Sequence, residues 1–248
     1  MPRTAARPRP HRRRLLLAAA LAGIPAASLR AASITHVYTA GALWSAATWT
    51  NGTPLQAPGD IASYGGSAAG SVTLNANVTL GALKLTYPSN WTINAGSGTF
   101  TLDNSGGSTN TFGTPNSSIV ATNSGTLTII PAIALGPTAL DIGTTSTGSI
   151  ALQGPITGAG NLNLFTNGKG SITLDAIATA GTLNQSGTGT GAAVLADSLG
   201  PNLTSIAING SNSGLLIAAT DGTFSSLTIN GGTVFVAGDQ NLGAANSN

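Results

Sequence analysis

Cysteine is absent from the 248 residues, and so is glutamate. Disulfides and thiolate metal sites are therefore excluded. Charged residues make up 6% of the chain and aromatic residues 4%. Disordered segments combine low hydrophobicity with high charge, and this chain reverses both, so its polar tracts read as tight turns of an ordered structure. Histidine is nearly missing too: beyond His11 there is only His36. A Ser-His-Asp or Cys-His arrangement would have to use His36. No segment shows a sustained i, i+3, i+4 apolar pattern, which leaves no helical crossovers and rules against βαβ architectures.

Charge is also unevenly placed. Seven of the nine cationic residues fall at or before Arg30. Residues 1–14 are basic and proline-rich, residues 15–24 are apolar, and residues 25–33 are small, with Ala-x-Ser sites ending at Ser28 and Ser33. That order is the order of a secretory signal peptide, expected over residues 1–33 with cleavage between Ser28 and Ser33. Its apolar run is shorter than the roughly 20 residues that a helix needs to span a bilayer. A cut after Ser33 leaves Lys84 and Lys169 against seven Asp, a balance of −5. The remaining chain is mildly acidic and has no basic patch, which argues against nucleic acid as a partner.

What the chain does contain is alternation. Residues 71–86, SVTLNANVTLGALKLT, return as residues 171–186, SITLDAIATAGTLNQS. The copies share a Leu at Leu74 and Leu174 and another at Leu83 and Leu183, without a gap. Period-two alternation of Val, Ile, Thr and Leu with small polar residues reads as strand. Short strand candidates of this kind continue to residue 237, separated by Gly, Asn, Asp or Pro. A recurring strand unit predicts an all-β solenoid in which each turn covers the apolar face of the next. A membrane barrel needs longer strands and two aromatic girdles. A sandwich does not predict an echo at fixed spacing. The expectation is a parallel β-helix of about eight or nine coils, about 40 Å long at roughly 4.8 Å per coil. Leu74, Leu83, Leu174 and Leu183 should point into one core.

Residues 34–70 form an expected N-terminal cap segment ahead of a repeat region over 71–248. All three Trp and all three Tyr lie between Tyr38 and Trp91. An open solenoid end exposes unpaired backbone and apolar core, and an aromatic cluster suits the task of covering it. The alternative reading is an aromatic face for carbohydrate.

Residues 44–64, WSAATWTNGTPLQAPGDIASY, resemble the start of the autotransporter-associated β-strand repeat proteins. Residues 154–174, GPITGAGNLNLFTNGKGSITL, and 227–245, LTINGGTVFVAGDQNLGAA, resemble the recurring units of autotransporter passengers. The resemblance implies a secreted, right-handed parallel β-helix displayed on a Gram-negative-type cell surface. Two features depart from the family. The Lys of the Gly-rich turn is displaced to Lys169, and the C-terminal membrane barrel is missing, so the repeat region reads as truncated.

Reactive groups are sparse. Gly187 to Gly191, GTGTG, lacks the Lys-Ser/Thr end of a phosphate loop and reads as a turn or bulge. Lys169 reads as a solvated turn residue. Asp175, Asp197, Asp221 and Asp239 follow at intervals of 22, 24 and 18 residues, near the length of a coil. Such spacing would stack them at one corner, where carboxylates could bind Ca²⁺ or act as an acid/base pair. The plainer reading is four turn aspartates. No catalytic, cofactor-binding or metal-ligating residue is assigned. The functional expectation is a non-enzymatic, surface-displayed structural or adhesive module. Its partners would be a host or neighbouring-cell surface, extracellular polysaccharide, or further copies of itself. A β-helical polysaccharide lyase or hydrolase is the alternative.

Overall fold

The computed structural model describes residues 33–54, 56–65, 68–219 and 224–242. The chain divides into two units, Met1–Arg30 and Ala31–Asn248. The signal-peptide expectation lies outside the described residues, apart from Ser33. The second unit is nearly all β, a parallel β-helix of about nine turns. Among the described residues only two short 3-10 turns, Trp44–Ala46 and Asp239–Leu242, are helical.

Each turn visits three faces. Face 1 stacks Thr35–Ala40, the end of Gln56–Tyr64, the end of Val78–Leu85, Ser117–Ala121, Leu140–Thr144, Leu162–Thr166, Thr182–Ser186, Ser205–Ile208 and Ser226–Ile229. Face 2 stacks Gly70–Thr73, Trp91–Asn94, Thr126–Ile129, Ser149–Leu152, the starts of Ile172–Thr179 and Ala192–Leu199, Gly214–Ile217 and Thr233–Val236. Face 3 begins with the start of Gln56–Tyr64 and continues through the start of Val78–Leu85, Phe100–Leu102, Ile133–Leu135, Ile156–Gly158 and the ends of Ile172–Thr179 and Ala192–Leu199. Every pairing is parallel except one, the two-residue Thr48–Trp49 against Thr35–Ala40.

Alternation decides what is buried. On face 1 the inward row runs Ala62, Leu83, Ile119, Ile142, Leu164, Gln185, Ile208. On face 2 it runs Val72, Ile93, Ile129, Leu152, Leu174, Leu195, Ile217. These residues are buried and all but Gln185 belong to one hydrophobic core. Leu74, Leu83, Leu174 and Leu183 are all in that core, as expected. Their equivalence is different from the one the echo suggests. Val72, not Leu74, shares the row of Leu174, and Gln185, not Leu183, shares the row of Leu83. The structural repeat is therefore two residues longer than the sequence echo. A shift of two leaves inside and outside unchanged, so the pattern tolerates it.

The spacing along the face 1 row is 21 to 23 residues, except between Leu83 and Ile119. That turn carries a long excursion, residues 103–116, between Phe100–Leu102 and Ser117–Ala121.

Glycine accumulates where face 1 turns into face 2, because the coils touch there through their backbones. A Cβ on Gly170 would sit 1.7 Å from the carbonyl oxygen of Gly148, and one on Gly191 would sit 2.1 Å from that of Gly170. No side chain fits such an approach. Residues 187–191 are one layer of this stack, with Gly189 N donating to Thr166 O at 3.0 Å. They form a corner, as the turn reading expected.

Candidate functional surface

The N-terminal aromatics are a plug. Tyr38, Trp44, Trp49, Tyr64 and Trp91 are all buried. Tyr64 stacks on Trp91 with ring centres 4.8 Å apart, and Tyr38 meets Trp49 edge-on at 5.3 Å. Trp44 Nε1 donates to Pro54 O at 2.9 Å. For these five rings the carbohydrate-face alternative fails on this burial, because a sugar needs an exposed ring face to stack on; Tyr87, the sixth aromatic of the stretch, is exposed and stands outside the plug. The cap is not separate from the coils, however. Thr35–Ala40 already pairs in parallel with Gln56–Tyr64, so stacking begins inside residues 34–70. The Thr48–Trp49 strand runs against the outer edge of Thr35–Ala40 and blunts it.

Burial has a chemical consequence for the plug. Tyr64 OH is buried with no hydrogen-bond partner. Burial, with the neighbouring Tyr38 as a lesser cause, pushes the Tyr64 hydroxyl well above the ordinary tyrosine value. Tyr38 is also raised by burial.

His36 sits at the start of the plug and is buried. Its Nδ1 lies 2.7 Å from Gly52 O, and its Nε2 lies 3.0 Å from Asp60 Oδ2. Asp60 Oδ1 accepts from Ile34 N at 2.9 Å. A catalytic histidine needs one ring nitrogen turned to a nucleophile or substrate. Here each ring nitrogen is held by an oxygen acceptor of the scaffold.

Asp141 is fully buried, although it alternates with the inward Leu140 and Ile142 and so faces outward. The excursion 103–116 covers it. Asp141 Oδ2 accepts from Asn110 Nδ2 at 2.8 Å and from Thr114 Oγ1 at 2.5 Å. Oδ1 accepts from Asn116 Nδ2 at 2.9 Å and from Asn163 Nδ2 at 2.7 Å. Four neutral donors thus satisfy one carboxylate without a cation. Beside this anchor, Phe112 lies flat on Phe165, ring centres 4.4 Å apart. Phe165 pairs with Gly143, where a Cβ would come within 2.1 Å of the Phe112 ring. The excursion is a strap fastened to face 1 by a carboxylate and an aromatic stack.

The four aspartates whose spacing allowed a stack at one corner meet it only in part, and the plainer reading of turn aspartates fits the rest. Asp175 and Asp197 both lie where face 2 turns into face 3, on adjacent coils. Leu174 pairs with Leu195 and Ala176 with Ser198, so Asp175 stands opposite Ala196 and Asp197 across a bulge. Counted from the shared inward row, Asp175 is one residue past Leu174, Asp197 two past Leu195, and Asp239 three past Val236. The position drifts along the chain and does not form a straight column. Asp221 and the side chain of Asp239 lie outside the described residues. Among the described residues no three His, Cys, Asp or Glu side chains cluster as metal ligands.

Lys169 stands at the opposite edge of face 2, exposed, beside an open recess of about 420 Å³ lined by Ser146, Thr147, Asn167, Gly189 and Thr190. Elsewhere the surface repeats small polar groups. Asn184 Nδ2 donates to Asn163 Oδ1 at 3.1 Å, and Asn230 Nδ2 to Asn209 Oδ1 at 2.7 Å. Corner asparagines serve the next coil: Asn77 Oδ1 accepts from Thr99 N at 3.1 Å and Asn161 Oδ1 from Thr182 N at 3.0 Å.

Sequence reasoning missed Asp141 and the strap. Asp141 is a lone aspartate in a strand, and its four donors are scattered between Asn110 and Asn163. The one signal was the run of residues 104–118, NSGGSTNTFGTPNSS, which interrupts the alternation on either side of it.

Comparison of the chain with family models, with curated proteins and with solved structures finds no match in any of the three.

Proposed function

We propose that this chain is an exported, non-catalytic structural or adhesive module, displayed on a bacterial cell surface in the manner of an autotransporter passenger. The observation that carries the reading is the fate of the one described histidine and of two of the aspartates. His36, Asp60 and Asp141 are spent on holding the cap and the strap in place. What remains outside is largely rows of Ser, Thr and Asn on a rigid rod. Such a surface makes weak hydrogen bonds to hydroxyls and amides, and many displayed copies add their contacts. The partners it suits are a host or neighbouring cell surface or an extracellular polysaccharide. Export rests on the basic, apolar and small-residue order of residues 1–33.

A second reading, a polysaccharide lyase or hydrolase, is favoured by one observation: Asp175 and Asp197 share an edge on adjacent coils. The cation such chemistry would use, Lys169, lies across face 2 from them. The deciding assay offers the purified protein pectin-like and other acidic polysaccharides, with and without Ca²⁺, beside a cell-aggregation assay. Aggregation that persists in Asp175→Ala and Asp197→Ala without turnover upholds the module. Turnover lost in those variants promotes the enzyme.

A further inference from the structure

The outer side of face 2 changes character along the rod. Its central outward row begins Ser71, Thr92, Thr128, Ala151, Thr173 and ends Val194, Leu216, Phe235. Three consecutive coils thus present Val, Leu and Phe where the earlier coils present mostly threonine. Phe235 is 59% exposed. An apolar stripe on an outward sheet face marks a contact surface. The two edges of this face carry opposite charge. Lys169 stands in the turn that enters Ile172–Thr179, and Asp175 follows Leu174 where that strand leaves the face. Asp197 occupies the same edge one coil further on. The one ion pair among the described residues is His36 with Asp60, so these three charges have no ion-pair partner among the described residues.

We propose that face 2 docks against face 2 of a second copy of this chain, in a dimer whose two-fold axis runs parallel to the rod. A half turn about that axis keeps every coil at its own height and exchanges the two edges of the face. Lys169 then stands opposite Asp175 and Asp197 of the second copy, and the reciprocal contact forms at the other edge. Val194, Leu216 and Phe235 meet their own images. The interface is self-complementary and closed, as a two-fold contact requires. An antiparallel dimer, made by a half turn about an axis crossing the rods, sets Lys169 beside Lys169 and carboxylate beside carboxylate. That arrangement is repelled. The apolar stripe supplies the association, while the charges, which add little affinity as exposed pairs, choose between the two orientations.

This inference goes beyond display on a cell and does not rest on it, because two copies in free solution make the contact. Its test is sedimentation equilibrium of the full chain over a range of concentrations, with folding of each variant checked by circular dichroism. The expected result is a reversible dimer that Phe235→Ser weakens by about tenfold, the equivalent of one well-packed apolar contact. Lys169→Asp alone should weaken it, and so should Asp175→Lys with Asp197→Lys. The triple variant, with all three charges reversed, should regain the original dissociation constant. A chain that stays monomeric throughout overturns the proposal. So does a dimer indifferent to Phe235→Ser, or one that Lys169→Asp leaves unchanged, as the antiparallel arrangement would.

Discussion

Asn163 donates its side-chain amide to Asp141 Oδ1 at 2.7 Å from the next coil of face 1. Asn184, one coil further, donates in turn to Asn163 Oδ1. The carboxylate accepts only, so it fixes which way each amide points, and the ladder has one direction. The next residue in this column is Ala207, which ends it. One acidic side chain therefore orients a polar column on one side and fastens the strap on the other.

Replacing Asp141 should release the strap before it unfolds the rod. Asp141→Ala leaves half-buried donors on Asn110, Thr114, Asn116 and Asn163 without this acceptor, at about 1–3 kcal/mol for each group that stays unsatisfied. Water entering beside the loosened strap will lower the total. The expected outcome is a lower melting temperature and new proteolytic cleavage confined to residues 103–116. Unchanged protease resistance there would show that Phe112 on Phe165 suffices to hold the strap.

The orphan hydroxyl of Tyr64 makes a prediction of the opposite sign. Tyr64→Phe removes a buried, unpartnered polar group and should stabilise the cap by about 1 kcal/mol. It should also alter the response to alkali. The Tyr64 hydroxyl is raised in the folded chain, whereas an unfolded tyrosine ionises near 10. Above that pH the unfolded state releases a proton that the folded state keeps, so stability falls as pH rises. Denaturant midpoints measured from neutral to strongly alkaline pH should fall less steeply in the Phe variant. Equal slopes in the two proteins would count against a neutral, buried Tyr64.

The glycine corner should be less forgiving than the apolar rows. Gly170→Ala places a methyl carbon against the backbone of the coil below and should cost about 3 kcal/mol, at the upper end of overpacking penalties. Leu152→Ile, a swap within the inward row of face 2, should cost less than about 1.5 kcal/mol. Leu174→Asp buries an unpaired charge in that row and should prevent folding. Thermal melts of the three variants give the order directly, and a Gly170→Ala protein as stable as its parent would contradict the close approach.

Processing has its own expected outcome. Protein recovered from the medium or cell surface of a bacterial host should begin between Leu29 and Ile34, as read by N-terminal sequencing. A chain that retains Arg3 and stays in the cytoplasm would remove the export reading.

Recurrence of the strand unit predicted a solenoid, and alternation by itself determined that the chain is all-β and that Leu74, Leu83, Leu174 and Leu183 face a common core. Those properties depend on a period of two, which is written locally in every strand. Sparse chemistry was legible in the same way, from composition. Only the tertiary structure decided the register: Leu174 lies level with Val72, and Gln185 with Leu83. Backbone pairing between coils sets that register, and a slip of two residues leaves the inside and outside pattern intact, so the pattern cannot report it. The strap was hidden for a related reason. Asp141 is explained by donors between Asn110 and Asn163, and their shared role exists only once separate coils lie side by side. The same holds for the outer row of face 2: Val194, Leu216 and Phe235 are each an ordinary outward residue of a separate strand, and become one stripe when parallel stacking brings them to adjacent rungs.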